Sequence, residues 1–315
     1  MNTGVIDKSL ELKLDDSMFE LVPKEQKKLN EIVRPSMSYW QDVWRRLKKN
    51  KLAMFGLIVV ILMTVIAIFG PMFSKYNYFA NDFTIANQRP SLEHWFGTDQ
   101  FGRDIFVRVL YGARISLIVG YAAAFISFVI GTLYGSISGY AGGLADNIMM
   151  RIVDILMSIP MMIYVILLMV VIGAGLKSII IALAITQWLG MARIVRGQII
   201  QLKNQEFVLA AKTLGASRNR ILLKHLVPNS MGPIIVTLTL AVPSAIFTEA
   251  FLSFIGLGVS APKASWGTLV SEAQQLYMIY PYQLFFPAIA ICITILAFNL
   301  LGDGLRDALD PKMRR

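Results

Sequence analysis

The sequence predicts an all-α integral membrane protein with six transmembrane helices and cytoplasmic N- and C-termini. Three observations carry that prediction. Only 16% of the 315 residues are charged and 56% are hydrophobic, against about 25% charged in an ordinary soluble domain. Uncharged stretches at 52–74, 115–145, 155–176, 229–248 and 273–302 each reach the roughly 20 residues that cross a bilayer. A sixth, 178–192, is shorter, but its helix can run on through Arg193 and Arg196, whose long side chains reach the headgroup region. The third observation is the sidedness of charge. Between the fourth and fifth spans, residues 193–224 carry seven Lys or Arg against one acid, Glu206, and the chain ends with Arg306, Lys312, Arg314 and Arg315. Loops rich in Lys and Arg stay in the cytoplasm.

Taken in order, residues 1–51 read as a cytoplasmic tail followed by an interfacial amphipathic helix. The first 35 mix charges of both signs with few aromatics. Trp40, Val43, Trp44 and Leu47 then recur at helical spacing among Arg45, Arg46, Lys48, Lys49 and Lys51, the pattern of a helix lying on the inner leaflet. The first span, 52–74, begins too far into the chain to be a cleaved signal. An external loop, 75–114, follows. Its Lys75, Arg89, Arg103, Arg108 and Arg114 run against the sidedness rule, offset in part by Asp82, Glu93, Asp99 and Asp104.

Residues 115–315 form the core. In the second span Gly131, Gly135, Gly139 and Gly143 repeat every four residues, which places them on one helix face as a seam for close packing. Arg151 and Asp154 stand three apart, positioned to pair. Pro160, Pro243 and Pro287 lie in or near spans and should kink or interrupt them. Glu249 ends a run of twenty uncharged residues, near the outer end of its span. Either it lines an outward cavity and meets the positive end of a substrate, or it is hydrogen-bonded to the neighbouring loop; the second reading is preferred. Trp266 and Gly267 open an amphipathic segment that reads as a short helix on the outer surface.

The loop at 193–228 is the most informative part of the chain. It contains Glu206, Ala210, Ala211 and Gly215, then a basic run with Arg218 and Arg220, then Pro228. On a helix, Ala211 and Gly215 lie one turn apart with Ala210 beside them. That predicts a short helix with a flat patch, shaped to fit a groove on another protein. The spacing resembles the coupling loop of bacterial ABC importer permeases, which reads Glu-Ala-Ala, three residues, Gly, and later Leu-Pro. Here Leu209 stands in the place of the Glu and Val227 in the place of the Leu.

Other stretches are similar to the C-type permease subunit of the peptide, opine and nickel branch, nearest the oligopeptide permeases. They are 94–104 (HWFGTDQFGRD), 111–117 (YGARISL), 139–143 (GYAGG), 249–258 (EAFLSFIGLG), 265–267 (SWG) and 299–311 (NLLGDGLRDALDP). The resemblance covers roughly residues 40–315. It implies the five-helix permease core of this class plus one N-terminal span, in a bacterial cell membrane. It implies half of a translocation pathway for peptides, with a homologous permease completing a heterodimer. Two ATPase subunits would dock on the coupling loop and hold the ATP and Mg. An extracytoplasmic solute-binding protein would deliver the peptide, and no cofactor is expected on this chain. The alternatives are a dipeptide or nickel permease of the same family, or, outside it, a secondary transporter.

Several classes are excluded. The single Cys292 and the distant His94 and His225 provide neither an intrachain disulfide nor a metal cluster. The sequence has no phosphate-loop motif and no catalytic grouping, so enzymatic activity is not expected. The net charge of +10 is explained by membrane sidedness and not by nucleic acid.

Overall fold

The structure is a computed structural model and describes residues 38–259 and 262–310. The chain divides into two units, Met1–Asp42 and Val43–Arg315. The polar tail expected over 1–35 and the basic terminus beyond 310 lie outside the described residues.

The elements in chain order are α1 (Tyr39–Lys49), α2 (Lys51–Phe69), α3 (Ile105–Ala141), α4 (Gly143–Ser158), α5 (Met161–Ile172), α6 (Leu176–Leu202), α7 (Glu206–Thr213), α8 (Arg218–Ile221), α9 (Met231–Phe254), α10 (Trp266–Gln274) and α11 (Pro281–Leu309). Among the described residues no β-strand forms. Among the described residues, five helices are long and apolar enough to cross a membrane: α2 with its continuation to Met72, α3, α6, α9 and α11.

The stretch expected to form the third span is built differently. It is shared between α4 and α5, which meet at 80°. Pro160 explains the break. It has no N–H to continue the helix, and its ring pushes Ile159 out of the helical region, to φ −84° and ψ 121°.

Helix α3 starts ten residues before the uncharged stretch does. Asp104 caps it by accepting from the Val107 N–H at 2.8 Å. The cations that follow are held inside the fold: Arg108 bonds Asp99 and Glu272, and Arg114 donates to the carbonyls of Ala67 and Ile68. Arg108 and Arg114 thus act as ties within the fold.

The most extensive packing joins α3 to α6. A Cβ on Gly131 would stand 2.5 Å from the Met191 Cβ, one on Gly135 would strike the Ala192 carbonyl, and one on Gly139 would come within 2.8 Å of the Arg196 carbonyl. Only glycine allows the two backbones this close. Gly143 lies past the end of α3, with φ 56° and nothing within 4 Å of a Cβ. Residue numbers along this seam rise together, so α3 and α6 run parallel.

Elsewhere the order is antiparallel. Gly56 of α2 faces Ala297 and Leu301 of α11, and Gly304 faces Ala53. Gly120 of α3 faces Val242 and Ile246 of α9. At the base, Val43 and Leu47 of α1 pack with Ala53, Ala308 and Leu309, while Trp44 stays exposed with Lys48 Nζ 5.2 Å from its ring centre.

Candidate functional site

The segment between α6 and α9 forms a module of short helices packed on the spans. Three residues link α6 to α7, and α7 ends in a tight glycine turn. Gly215 has φ 77°, its N–H donates to the Lys212 carbonyl at 3.0 Å, and the Ala216 N–H donates to the Ala211 carbonyl at 3.0 Å. These two bonds satisfy the last carbonyls of α7 and require the left-handed conformation that glycine adopts freely. The Ser217 hydroxyl then caps α8 by accepting from the Arg220 N–H. A π-helical turn, Leu222–Leu226, leads into Val227–Asn229. Pro228 has no N–H for the carbonyl one turn back, which accounts for the widened turn in front of it.

One face of this module is fixed to the spans. Val208, Ala211, Ile221 and Leu226 pack in one core with Met191, Val195 and Ile199 of α6 and Ile234 of α9. The opposite face is open. Phe207, Leu209, Ala210, Leu214, Gly215 and Leu223 are exposed, Leu214 at 87% of its surface. Lys212, Arg218, Arg220 and Lys224 surround them, with Glu206 in the first turn of α7. The predicted outward patch is therefore corrected in one member. Ala210 and Gly215 are open, but Ala211 faces inward, because it lies three residues after Val208 and shares the buried side of a helix only two turns long. The open patch is also more apolar than the small residues alone suggested.

Glu249 lies elsewhere, fully buried where α3, α9 and α10 meet. Ser116 donates to its Oε2 at 3.1 Å and Ser253 to its Oε1 at 2.7 Å. The Ser116 hydroxyl also accepts from the Trp266 N–H at 3.2 Å. Trp266, itself fully buried, donates its indole N–H to the Val109 carbonyl at 3.0 Å. Carboxylate, two serines and tryptophan thus tie three helices together, so Glu249 is hydrogen-bonded as preferred, but to serines of α3 and of its own helix where the loop was expected.

Sequence reasoning missed most of the ion pairs. Arg103 and Arg108 converge on Asp99 and Glu272, with nitrogen–oxygen distances of 2.6–3.0 Å. They connect the segment before α3 to α10. Asp146 of α4 accepts two bonds at 2.6 Å from Arg196 of α6. Asp154, expected to pair with Arg151, is bonded instead by Arg193 at 2.5 Å. Asp99 lies only four and nine residues from Arg103 and Arg108, but no local spacing signals the pairs to Glu272, Asp146–Arg196 or Asp154–Arg193, whose partners lie tens of residues apart.

Comparison with known proteins places this architecture. Residues 131–315 match the family described as binding-protein-dependent transport system inner membrane component, and residues 38–90 match the N-terminal transmembrane domain of oligopeptide transport permease C. The chain is 57% identical over 299 residues to the oligopeptide transport system permease protein OppC of Bacillus subtilis, covering 95% of this chain and 98% of that one. It is 54% identical to the dipeptide transport system permease protein DppC of the same organism, covering 95% and 94%. Against OppC of Haemophilus influenzae the identity is 46%, covering 94% and 96%. Among solved structures, the inward-facing MetNI methionine ABC transporter superposes with a TM-score of 0.55 at 20% identity, over 65% of this chain and 98% of that chain. That likeness is one of fold.

Proposed function

This chain belongs to the binding-protein-dependent transport inner-membrane components, and on that footing we propose that it forms one half of an ATP-driven import pathway for peptides. It is a transport component and not an enzyme, and membership of this family displaces the secondary-transporter reading. The peptide class rests on the names of relatives at 57% and 54% identity, an oligopeptide and a dipeptide permease. Their cargoes share the peptide backbone and differ in length.

The packing supports a sixth crossing. Helices α3 and α6 run parallel, so the chain between them has to return across the membrane. α4 and α5, of 16 and 12 residues, supply roughly 42 Å of path at about 1.5 Å per residue, enough for a bent crossing. With that return, the start of α2, the ends of α3, α6 and α11, and the α7–α8 module share one side. Lys51, Arg196, Lys203, Arg218, Lys224 and Arg306 lie on it, which supports a cytoplasmic assignment for that side.

A homologous permease completes the pathway. Two ATPase subunits hold the ATP and Mg, and an external solute-binding protein presents the peptide. The observation that carries the reading is the mounting of α7, which is open and apolar on one face and packed into α6 and α9 on the other. ATPase closure displaces α7, and the shared core passes that displacement to both spans, as a switch between inward and outward access needs. The face of α9 with exposed Pro233 and Ser244 and half-buried Thr237 and Thr248 is the candidate pathway wall. The hydroxyls of Thr237 and Thr248 bond carbonyls one turn back at 2.8 and 2.7 Å, giving a polar surface without interrupting the helix.

Gentle affinity purification of the tagged chain from native membranes, followed by mass spectrometry, tests the assembly. A second permease and ATPases with phosphate loops are expected in the eluate. Recovery of this chain alone as an active transporter would refute the proposal.

A further inference from the structure

A cleft of about 510 Å³ opens where the cytoplasmic end of α3 meets the α7–α8 module. Its polar wall is Lys203, Lys212, Arg218 and Asn219, and its apolar wall includes Ile137, Tyr140 and Leu222. Lys203 Nζ donates to the Gly139 carbonyl at 2.9 Å, which holds that ammonium at the cleft wall. None of the three cations forms an ion pair with a described residue. The nearby carboxylate of Asp146 is already taken by Arg196 at 2.6 Å. Three positive charges therefore face one cleft without a direct ion-pair partner, Lys203 sharing only the longer-range field of Asp146.

The apolar wall continues beyond the cleft. Phe125, Val129, Leu133 and Ile137 recur every four residues down α3, all exposed, on the side opposite the glycine seam against α6. A long exposed apolar stripe that ends at a basic cleft, at the inner end of a span, has the two-part chemistry of a phospholipid.

We propose that Lys203, Lys212 and Arg218 hold the headgroup phosphate of an anionic phospholipid of the inner leaflet, with an acyl chain along the Phe125–Ile137 stripe of α3. The charge favours an anionic headgroup over a zwitterionic one, since a choline or ethanolamine cation would enter a site that is already positive. An acidic segment of a partner protein satisfies the cations but leaves the stripe unexplained. Lys212 and Arg218 also flank the open face of α7, so the headgroup site adjoins the proposed ATPase surface; the lipid assignment goes beyond the import function.

The test uses the whole importer extracted from membranes, with native mass spectrometry reading retained lipid. The probes are phosphatidylglycerol, phosphatidylcholine and inorganic phosphate. Wild type should retain phosphatidylglycerol and not phosphatidylcholine, and millimolar phosphate should not displace it. Each basic side chain near an anionic surface is worth about fivefold in affinity, so K203Q/K212Q should cut retention at least about tenfold. Equal retention of both lipids, equal retention by the variant, or displacement by phosphate would each overturn the lipid assignment. If K203Q/K212Q fails to assemble, Ile137→Trp at the exposed wall gives an independent reading. Its fluorescence should be quenched more by brominated phosphatidylglycerol than by brominated phosphatidylcholine, and equal quenching would contradict the proposal.

Discussion

Gly215 does two things, and they can be separated. It provides the positive φ that closes α7, and it leaves open space where a Cβ would otherwise stand, with nothing within 4 Å. Gly215→Ala therefore meets no clash, and its cost is conformational, about 1 kcal/mol. Gly215→Asn tolerates the same φ but adds bulk to the open face. If clearance for a docked partner matters, Asn should lower peptide uptake per ATP hydrolysed several-fold in reconstituted vesicles while the complex assembles normally. Wild-type coupling in the Asn variant would leave only the capping role. At this scale the sequence was partly legible. The Ala-Ala-x-x-x-Gly spacing picked out the open glycine but placed it on the helix, whereas α7 ends at Thr213 and Gly215 forms the left-handed turn after it. The spacing could not reveal that Ala211 faces inward, because the inward side of so short a helix is set by Met191, Val195 and Ile199 on a different element. Asp146 with Arg196 was illegible for the same reason, since nothing in either neighbourhood points across fifty residues.

Among the helices, hydrophobic run length located the spans and four-residue spacing located the seam. The structure assigns that seam a partner, α6, and a direction, parallel. Replacing Gly135 by leucine forces a side chain into the Ala192 carbonyl and the Val195 side chain. Neither backbone can yield without opening the α3–α6 packing. Destabilisation of about 3 kcal/mol or more is expected, read as lost thermal stability of the purified complex. Gly143→Ala, with open space at its Cβ, serves as the contrast and should cost only the strain of its φ of 56°. A Gly135→Leu variant as stable as wild type would show that the two helices are not held by close approach. The break at Pro160 was half legible. Proline announced an interruption, but the 80° angle between α4 and α5 comes from how each helix packs on α3 and α6, which no local signal encodes.

For the whole molecule, the long helices give the frame, buried ties hold the end where α3 begins, and on the proposed reading the α7–α8 module at the other end transmits load. Those ties are Arg103 and Arg108 with Asp99 and Glu272, and Glu249 with Ser116, Ser253 and Trp266. The module shares a core with both α6 and α9. A push on α7 is thus delivered to two spans at once, while the ties resist separation of α3, α9 and α10. Docking of an ATPase on the open face of α7 is the premise of that mechanism, and Leu214 is its most exposed point. The most direct measurement places a photoreactive side chain at Leu214 in the intact importer, with a second at Leu92, which is 96% exposed on the opposite side. Irradiation should link Leu214, and not Leu92, to a subunit that binds ATP, with a yield that changes when nucleotide is added. Adducts from Leu214 to lipid or to the second permease alone, with none to an ATPase, would contradict the coupling role of α7.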